Sequence, residues 1–387
     1  MKKIINYGRH TIFEEDIRNV SKVLKSSFLT QGPFVQKFEH ALAKKFKSKF
    51  CTVVSNGSSA LYLIGKALKW KKGDTVITTP ISFLATSNCI ELSNANTQFI
   101  DIDEKTSTID PNKVEFFLKK KNRVKIKALI GVDYAGHPCD WESLRYLANK
   151  YNFYLINDGC HAMGSMLNND IGYACKYADF LTQSFHPVKT ITSGEGGSIL
   201  SNNKGIDNQL KLLRSHSMKK NLNKPLWFYE INEPGHNFRL SDIHSVLGLS
   251  QLRKIDKFVK LRRNIAKIYN FLFKDKINLV TPIEKKNVYH SYHLYPLLID
   301  FKKLKKKKSN LFKYLKKKNI FLQVHYKPIY KFKYYRNMIN FKKLILKNAE
   351  IFYSKEVSLP VYYGLSKKNQ IRVINHIKKF LNIKNRH

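Results

Sequence analysis

Ser184-Phe185-His186-Pro187-Val188-Lys189-Thr190-Ile191-Thr192-Ser193-Gly194-Glu195-Gly196-Gly197 lies between two short apolar runs, Ala178 to Leu181 before it and Ser198-Ile199-Leu200 after it. The runs read as strands, so a single lysine, Lys189, sits in a turn of mostly small residues. Such a turn lets a small molecule approach the backbone and can hold an amine away from bulk water. A lysine held this way has a lowered pKa and can form a Schiff base. Read alone, Lys189 is one more lysine of a lysine-rich chain. The segments around it decide between the two readings.

Upstream, strand patterns at 50–54, 75–79, 98–102, 126–132 and 153–156 alternate with helical patterns at 82–92, 111–120 and 140–150. This alternation predicts a mainly parallel sheet covered by helices, with ligand sites at the carboxyl ends of the strands. Phe83, Tyr134, Asp158 and Lys189 fall at such ends. Asp158 follows the apolar run Phe153-Tyr154-Leu155-Ile156. A carboxylate at a buried strand end is costly unless it meets a cation. A protonated pyridine nitrogen is such a cation; capping the next helix is the plainer use. Ser55-Asn56-Gly57-Ser58-Ser59-Ala60-Leu61 follows the 50–54 strand and opens a helix. That arrangement offers N–H groups and a helix N-terminus to a phosphate, although an N-cap with no ligand fits the same residues. No Gly-Lys-Ser/Thr follows, so it is not a Walker loop.

The flanks complete the plan. Residues 11–25 read as a helix with Thr11 as N-cap, 26–33 as a loop, and 34–47 as a helix with Phe34, Phe38, Leu42 and Phe46 on one face. A helix at 206–213 follows. Gly235 to Asp242 forms a loop that starts a long helix, capped by Ser241 or Asp242. It is expected to run to about Phe271 and to join a large domain, 1–255, to a smaller α+β domain, 256–387. The smaller domain has strand candidates at 292–298 and 321–324 and helix candidates at 304–318, 343–354 and 367–381.

The 387 residues carry 70 Lys+Arg against 28 Asp+Glu, a net charge of +42. That excess could serve nucleic acid, an anionic membrane or anionic small substrates. The cations are mostly scattered lysines, dense only at 302–308 and 316–318, which favours a solvated lysine face over base-reading arginines. The five cysteines, Cys51, Cys89, Cys139, Cys160 and Cys175, form no Cys-x-x-Cys pair, so they read as reduced thiols in a cytoplasmic protein rather than as a metal site or a disulfide framework. Met1 to Tyr7 begins basic but has no apolar run behind it, and is read as no signal peptide; no segment is read as a membrane span.

Taken together, Ser55–Leu61, Asp158–Gly164, Ser184–Gly197 and Gly235–Leu252 resemble, in order and spacing, the signatures of the fold-type-I aminotransferases that use pyridoxal 5′-phosphate (PLP), and within them the DegT-like sugar-nucleotide aminotransferases. The resemblance covers essentially the whole chain. The runs Phe28–Gly32, Thr78–Asn88, Val132–Gly136, Gly235–Leu240 and Gln323–Tyr330 are similar to those of the branch that serves pseudaminic acid biosynthesis. The resemblance implies an α/β fold: a large domain with a mainly parallel sheet of the seven-stranded type between helices, plus a smaller C-terminal α+β domain.

It also implies roles. Lys189 matches the Schiff-base lysine, Asp158 the partner of the pyridine nitrogen, Phe83 the aromatic stacked on the ring and His161 a polar residue beside it. Gly57, Ser58 and Ser184 match the phosphate cradle, and Ser59 also matches a cofactor contact. Asn237 matches a residue that reaches the other subunit's cofactor, which implies a homodimer with shared sites. Tyr7, Ser27, Phe28, Leu29, Thr30, Gln323, Val324, His325 and Tyr326, with Gly57, Ser184 and Asn237, match the sugar-nucleotide contacts. The implied reaction passes an amino group from L-glutamate to C4 of a UDP-linked 2-acetamido-2,6-dideoxy-4-keto-hexose, with no metal. Another nucleotide-linked keto sugar is the alternative within the family; a basic nucleic-acid-binding or regulatory protein is the alternative outside it. Departures from the family pattern are Asn157 before the aspartate, Pro187 before Val188-Lys189, and the lysine content.

Overall fold

The computed structural model describes residues 4–120, 124–221, 223–274, 276–338 and 340–383. Met1 to Lys3, part of the start weighed above as a signal peptide, lie outside them. Seven strands form one sheet: β1 (Phe50–Val54), β2 (Thr75–Thr78), β3 (Asn96–Phe99), β4 (Ile126–Val132), β5 (Tyr154–Asp158), β6 (Phe180–Ser184) and β7 (Gly197–Ser201). Their order across the sheet is β1-β7-β6-β5-β4-β2-β3. Neighbours from β3 to β6 pair in parallel, and β7 alone runs antiparallel to both its neighbours. The helices between the other strands supply the crossovers that parallel pairing needs. Between β6 and β7 the chain makes turns and no helix, so it returns beside β6 in the opposite sense. That reversal leaves the Lys189 turn at the carboxyl end of β6.

Side chains alternate across this sheet. Ile77, Leu129, Leu155, Leu181 and Leu200 enter the core on one face, and Val76, Ala128, Ile130, Ile156 and Ile199 the core on the other. A smaller antiparallel sheet orders β8 (Leu279–Val280), β9 (Tyr295–Ile299) and β10 (Glu356–Leu359) as β8-β9-β10. Its core includes Leu297, Val357, Val373 and Ile377, and Ile5 from the start of the chain joins it. The helix Ile255–Phe273 serves both bodies. Ile255, Phe258 and Val259 belong to the large core, while Ile265, Tyr269 and Phe273 belong to the small one.

Several elements differ from the sequence reading. Thr11 does not cap the first helix, Glu14–Leu24. Phe13 is the capping position, and its N–H donates to Asp16 Oδ2 at 2.9 Å. Asp16 is fully buried because it also receives Ser250 Oγ, Gln251 Nε2 and Lys254 Nζ. The helix expected from 242 to about 271 is two helices, Asp242–Leu252 and Ile255–Phe273. They part at Lys254, whose φ of −102° and ψ of 2° leave the helical region and whose ammonium is tied to Asp16 at 3.0 Å. Residues 321–324 form no strand; only Gln323 bridges, to Ser358 of β10. The 82–92 helix begins at Ala85, after a bend at Ile81 and Ser82. In the smaller body the three expected helices are Lys308–Lys316, Lys347–Lys355 and Lys367–Leu381, and a one-turn helix, Lys333–Arg336, is added to them. Among the described residues no helix is long and apolar enough to cross a membrane.

Candidate active site

The carboxyl ends of β4, β5 and β6 open into a cleft of about 710 Å³. Asp158, last residue of β5, pairs with Val132 of β4 and Thr182 of β6, so it stands at the sheet's exit. It is 5% exposed. Thr86 Oγ1 donates to its Oδ2 at 2.7 Å, and the Cys160 N–H donates to its Oδ1 at 3.3 Å. Among the described residues it forms no ion pair. A buried carboxylate with hydrogen bonds but no cation is suited to receive one from a ligand.

Beneath it lies a second acid. Asn157 Nδ2 donates to Asp133 Oδ2 at 2.9 Å, and Asp133 also receives Tyr173 Oη (2.6 Å), Trp141 Nε1 (2.9 Å) and the Cys139 N–H (2.8 Å). Burial pushes the Asp133 carboxyl up to about 6, against the pull of these donors. Asn157, a departure from the family pattern, is therefore the link between Asp133 and the strand that carries Asp158.

Lys189 follows a tight turn in which its N–H donates to the His186 carbonyl at 2.9 Å. Pro187 takes the second position of that turn, where a fixed φ near −65° is favoured. The departure at Pro187 thus builds the turn. The loop is tied at its base: Phe185 N–H donates to Gly196 O at 2.8 Å, and Ser193 N–H and Thr192 Oγ1 both donate to Phe185 O. The Lys189 side chain reaches the cleft among protein groups. Burial lowers its pKa, opposed by Cys160 and Asp158, so a larger share of its amine is neutral than for a surface lysine.

At another edge of the cleft starts the helix Gly57–Ala67. Asn56 caps it by accepting from Ser59 N–H at 2.8 Å. The N–H groups of Gly57 and Ser58 precede the intrahelical ladder and have no acceptor within it. The turn is packed closely: a Cβ on Gly57 would stand 3.0 Å from Ser184 Cβ, and one on Gly197 would stand 2.5 Å from the Asn56 carbonyl carbon. Two free donors, the Ser184 side chain and the positive end of a helix form a cradle for a phosphate.

The far wall comes from the smaller body. Tyr326 Oη lies 3.1 Å from His161 Nε2, and His161 Nδ1 accepts the Ala135 N–H at 3.4 Å. His161 therefore carries its hydrogen on Nε2. Burial, with Lys189 and His325, holds its pKa well below the usual histidine value. Phe83 is 58% exposed and its ring stands 6.3 Å from that of Tyr326. His325 lies 5.3 Å from the Tyr7 ring, and Gln323 and Val324 line the same wall.

The structure thus gathers Tyr7, Gly57, Ser58, Phe83, Asp158, His161, Ser184, Lys189, Gln323, Val324, His325 and Tyr326 around one cleft. Ser59 sits one residue behind, bonded through its hydroxyl to Asn56 and Ser55. Ser27, Phe28, Leu29, Thr30 and Asn237 do not line it. The first four are exposed, with Thr30 bridged to Ser241 and the Leu29 carbonyl accepting from the Asp242 N–H; Asn237 is bridged to Ser215. Sequence reasoning missed Asn56 and Thr86, both inside segments it had singled out. It also missed His293, Glu356 and Ser358, which carry no local signal. Tyr134, expected at a strand end, is buried with its hydroxyl donating to the His325 carbonyl.

Residues 10–378 match the model of the DegT/DnrJ/EryC1/StrS aminotransferase family. The chain is 38% identical over 367 residues to a UDP-4-amino-4,6-dideoxy-N-acetyl-beta-L-altrosamine transaminase of Campylobacter jejuni, covering 95% of this chain and 94% of that protein. Its fold matches that of Helicobacter pylori PseC, an aminotransferase involved in the biosynthesis of pseudoaminic acid, with a TM-score of 0.90 at 34% identity, over 98% of this chain and 100% of the other. A putative sugar aminotransferase of Streptococcus pneumoniae, Spr1654 in its PMP form, matches with a TM-score of 0.89 at 25% identity, over 98% and 99%.

Proposed function

The chain belongs to the DegT/DnrJ/EryC1/StrS aminotransferase family, and we propose that it aminates C4 of a UDP-linked 2-acetamido-2,6-dideoxy-4-keto-hexose with L-glutamate as donor. It is a PLP-dependent aminotransferase of nucleotide sugars. The observation that carries the finer reading is the cleft's donor set. A lysine of lowered pKa and a buried carboxylate that forms no ion pair among the described residues share one cavity with an open helix N-terminus and a wall of His325 and Tyr326.

The residues fit PLP. Gly57, Ser58 and Ser184 would hold its phosphate, Asp158 its ring nitrogen, Phe83 one ring face, and Lys189 its aldehyde. When bound, the cofactor supplies an electron sink for the carbanion charge of transamination. The chain supplies the rest. Asp158, its carboxyl held by the Thr86 hydroxyl and the Cys160 N–H, stands where a protonated nitrogen would be met. Lys189, once free as an amine, accepts and returns a proton at Nζ. Neutral His161 and Tyr326 offer fixed dipoles without a competing charge. The 323–326 segment of the smaller body forms one wall of the cleft. A net charge of +42 favours arrival of two anionic substrates.

A homodimer with shared sites belongs to the same proposal. Neither Ser27 to Thr30, joined to Ser241 and Asp242, nor Asn237, bridged to Ser215, lines its own cleft. Leu226 (95% exposed) and Trp227 (77% exposed) form an apolar surface that a second copy would cover. The experiment is incubation of purified protein with PLP, glutamate and a set of nucleotide-linked keto sugars, followed by product mass and proton NMR. Amination of the UDP-linked 4-keto sugar at C4 supports the reading. Turnover confined to 3-keto sugars or to other nucleotides removes the finer assignment and leaves the family intact.

A further inference from the structure

Glu356, the first residue of β10, is fully buried, and among the described residues it forms no ion pair. The cation that acts on it, Lys308, donates instead to the Tyr353 carbonyl at 2.6 Å. The Glu356 carboxylate accepts the backbone N–H of His325 at 2.9 Å and the Ser358 hydroxyl at 2.6 Å. Ser358 Oγ in turn lies 2.8 Å from His325 Nδ1.

A serine hydroxyl has one proton to give. When it goes to an ionised Glu356, Ser358 can only accept from His325. The ring hydrogen is then on Nδ1, and Nε2 is a bare acceptor. When Glu356 holds a proton and donates it to Ser358, the hydroxyl turns and donates to Nδ1. The ring hydrogen is then on Nε2, which becomes a donor. His325 lines the cleft, and its Nε2 has no protein partner among the described residues. Residue 325 is gripped at both backbone ends, at its N–H by Glu356 and at its carbonyl by the Tyr134 hydroxyl.

We propose that Glu356, acting through Ser358, is a positioning residue that sets whether His325 offers the cleft a hydrogen-bond acceptor or a donor. Burial pushes the Glu356 carboxyl up to about 8, opposed by Ser358, Lys308 and the His325 N–H. Tyr134 and Tyr326 also feel its charge. The His325 ring, faced by Lys189, Tyr7 and Tyr326, is held down to about 3 by burial and the lysine, so it stays neutral and only its tautomer changes. The identity of what His325 meets rests on the keto-sugar reading: a sugar hydroxyl donating to Nε2 above the Glu356 transition. The relay itself does not rest on that reading.

The Glu356→Gln variant separates the states. Its amide oxygen must accept the His325 N–H, so its amide nitrogen donates to Ser358, and the ring is locked with hydrogen on Nε2. The test uses the full chain labelled with 15N-histidine, without substrate, from about pH 6 to about pH 10, where the carboxyl changes state; a His325→Asn variant assigns the signal. The wild type is expected to pass from the Nε2–H to the Nδ1–H tautomer as pH rises. Glu356→Gln is expected to stay Nε2–H, and Ser358→Ala to lose the transition. A wild type fixed as Nδ1–H beside an Nε2–H Glu356→Gln also supports the relay. One tautomer common to all three proteins at every pH overturns it, as does a transition that survives in Glu356→Gln. At the alkaline end, Glu356→Gln is expected to raise the keto-sugar KM about tenfold, the worth of one hydrogen bond, with the glutamate half-reaction unchanged. An unchanged KM beside a changed tautomer supports the relay and counts against the keto-sugar contact.

Discussion

Replacing Tyr173 with Phe tests how the floor of the cleft is held. Asp133 is fully buried and receives four donors, of which the Tyr173 hydroxyl is the shortest at 2.6 Å. Its carboxyl is raised from 3.8 to about 6, with burial the largest cause. That rise corresponds to about 3 kcal/mol of preference for the neutral form in the folded protein. The sign follows from linkage. Between its unfolded and folded values the native state binds the proton more tightly, so Asp133 removes stability as pH rises through that window and leaves it removed above about 6. Tyr173→Phe takes a charge-assisted donor from the ionised form and a weaker partner from the neutral form. The expected loss is about 2–3 kcal/mol near pH 8 and about 1 kcal/mol near pH 4.5. Urea unfolding of both proteins at the two pH values measures this, and the difference between them cancels every other titrating group. An equal loss at both values would refute the reasoning, because it would mean that Tyr173 contributes packing alone.

Lys189→Ala is expected to give a folded protein with no turnover, and borohydride treatment of the yellow wild type is expected to mark Lys189; a mark on another lysine removes its role. Asp158→Asn should keep much of the cofactor affinity and lose about 10²–10³-fold in rate, the usual cost of removing one preorganised electrostatic partner; near-normal turnover would reduce Asp158 to a structural carboxylate. Tyr326→Ala should impair the keto-sugar half-reaction and spare the glutamate one, followed separately by cofactor absorbance, whereas equal loss of both would make the wall structural. Sedimentation at assay concentration should find a dimer, and an active monomer would end the shared-site proposal.

The main sheet was legible because its strands are buried on both faces. Ala128 to Val132 is an unbroken run of apolar residues and glycine, all buried. The helix at Pro111–Lys120 fell where expected, and Asp140, expected to open the next helix, caps it. The lysine turn, the Asp158 strand end and the Ser55–Leu61 cradle were each legible as local strand-to-turn junctions, whose geometry depends on a few neighbouring residues. Errors arose where distant partners decide. Thr11 gave way as cap because Asp16 is drawn inward by Ser250, Gln251 and Lys254, more than 230 positions away. The same lysine breaks a helix whose apolar pattern runs on without interruption.

By itself, the sequence determined the alternation of buried strands and helices, and with it the end of the sheet where chemistry collects. Those follow from periodicity and turn chemistry, which act between near neighbours. Only the tertiary structure decided that β7 runs against the sheet, that Gln323 to Tyr326 form the cleft wall with a single bridge from Gln323 to Ser358 in place of a strand, and that Glu356 and Ser358 stand behind His325. A buried acid finds its donors through packing across the small body, and no periodic pattern in the chain encodes which donors those are.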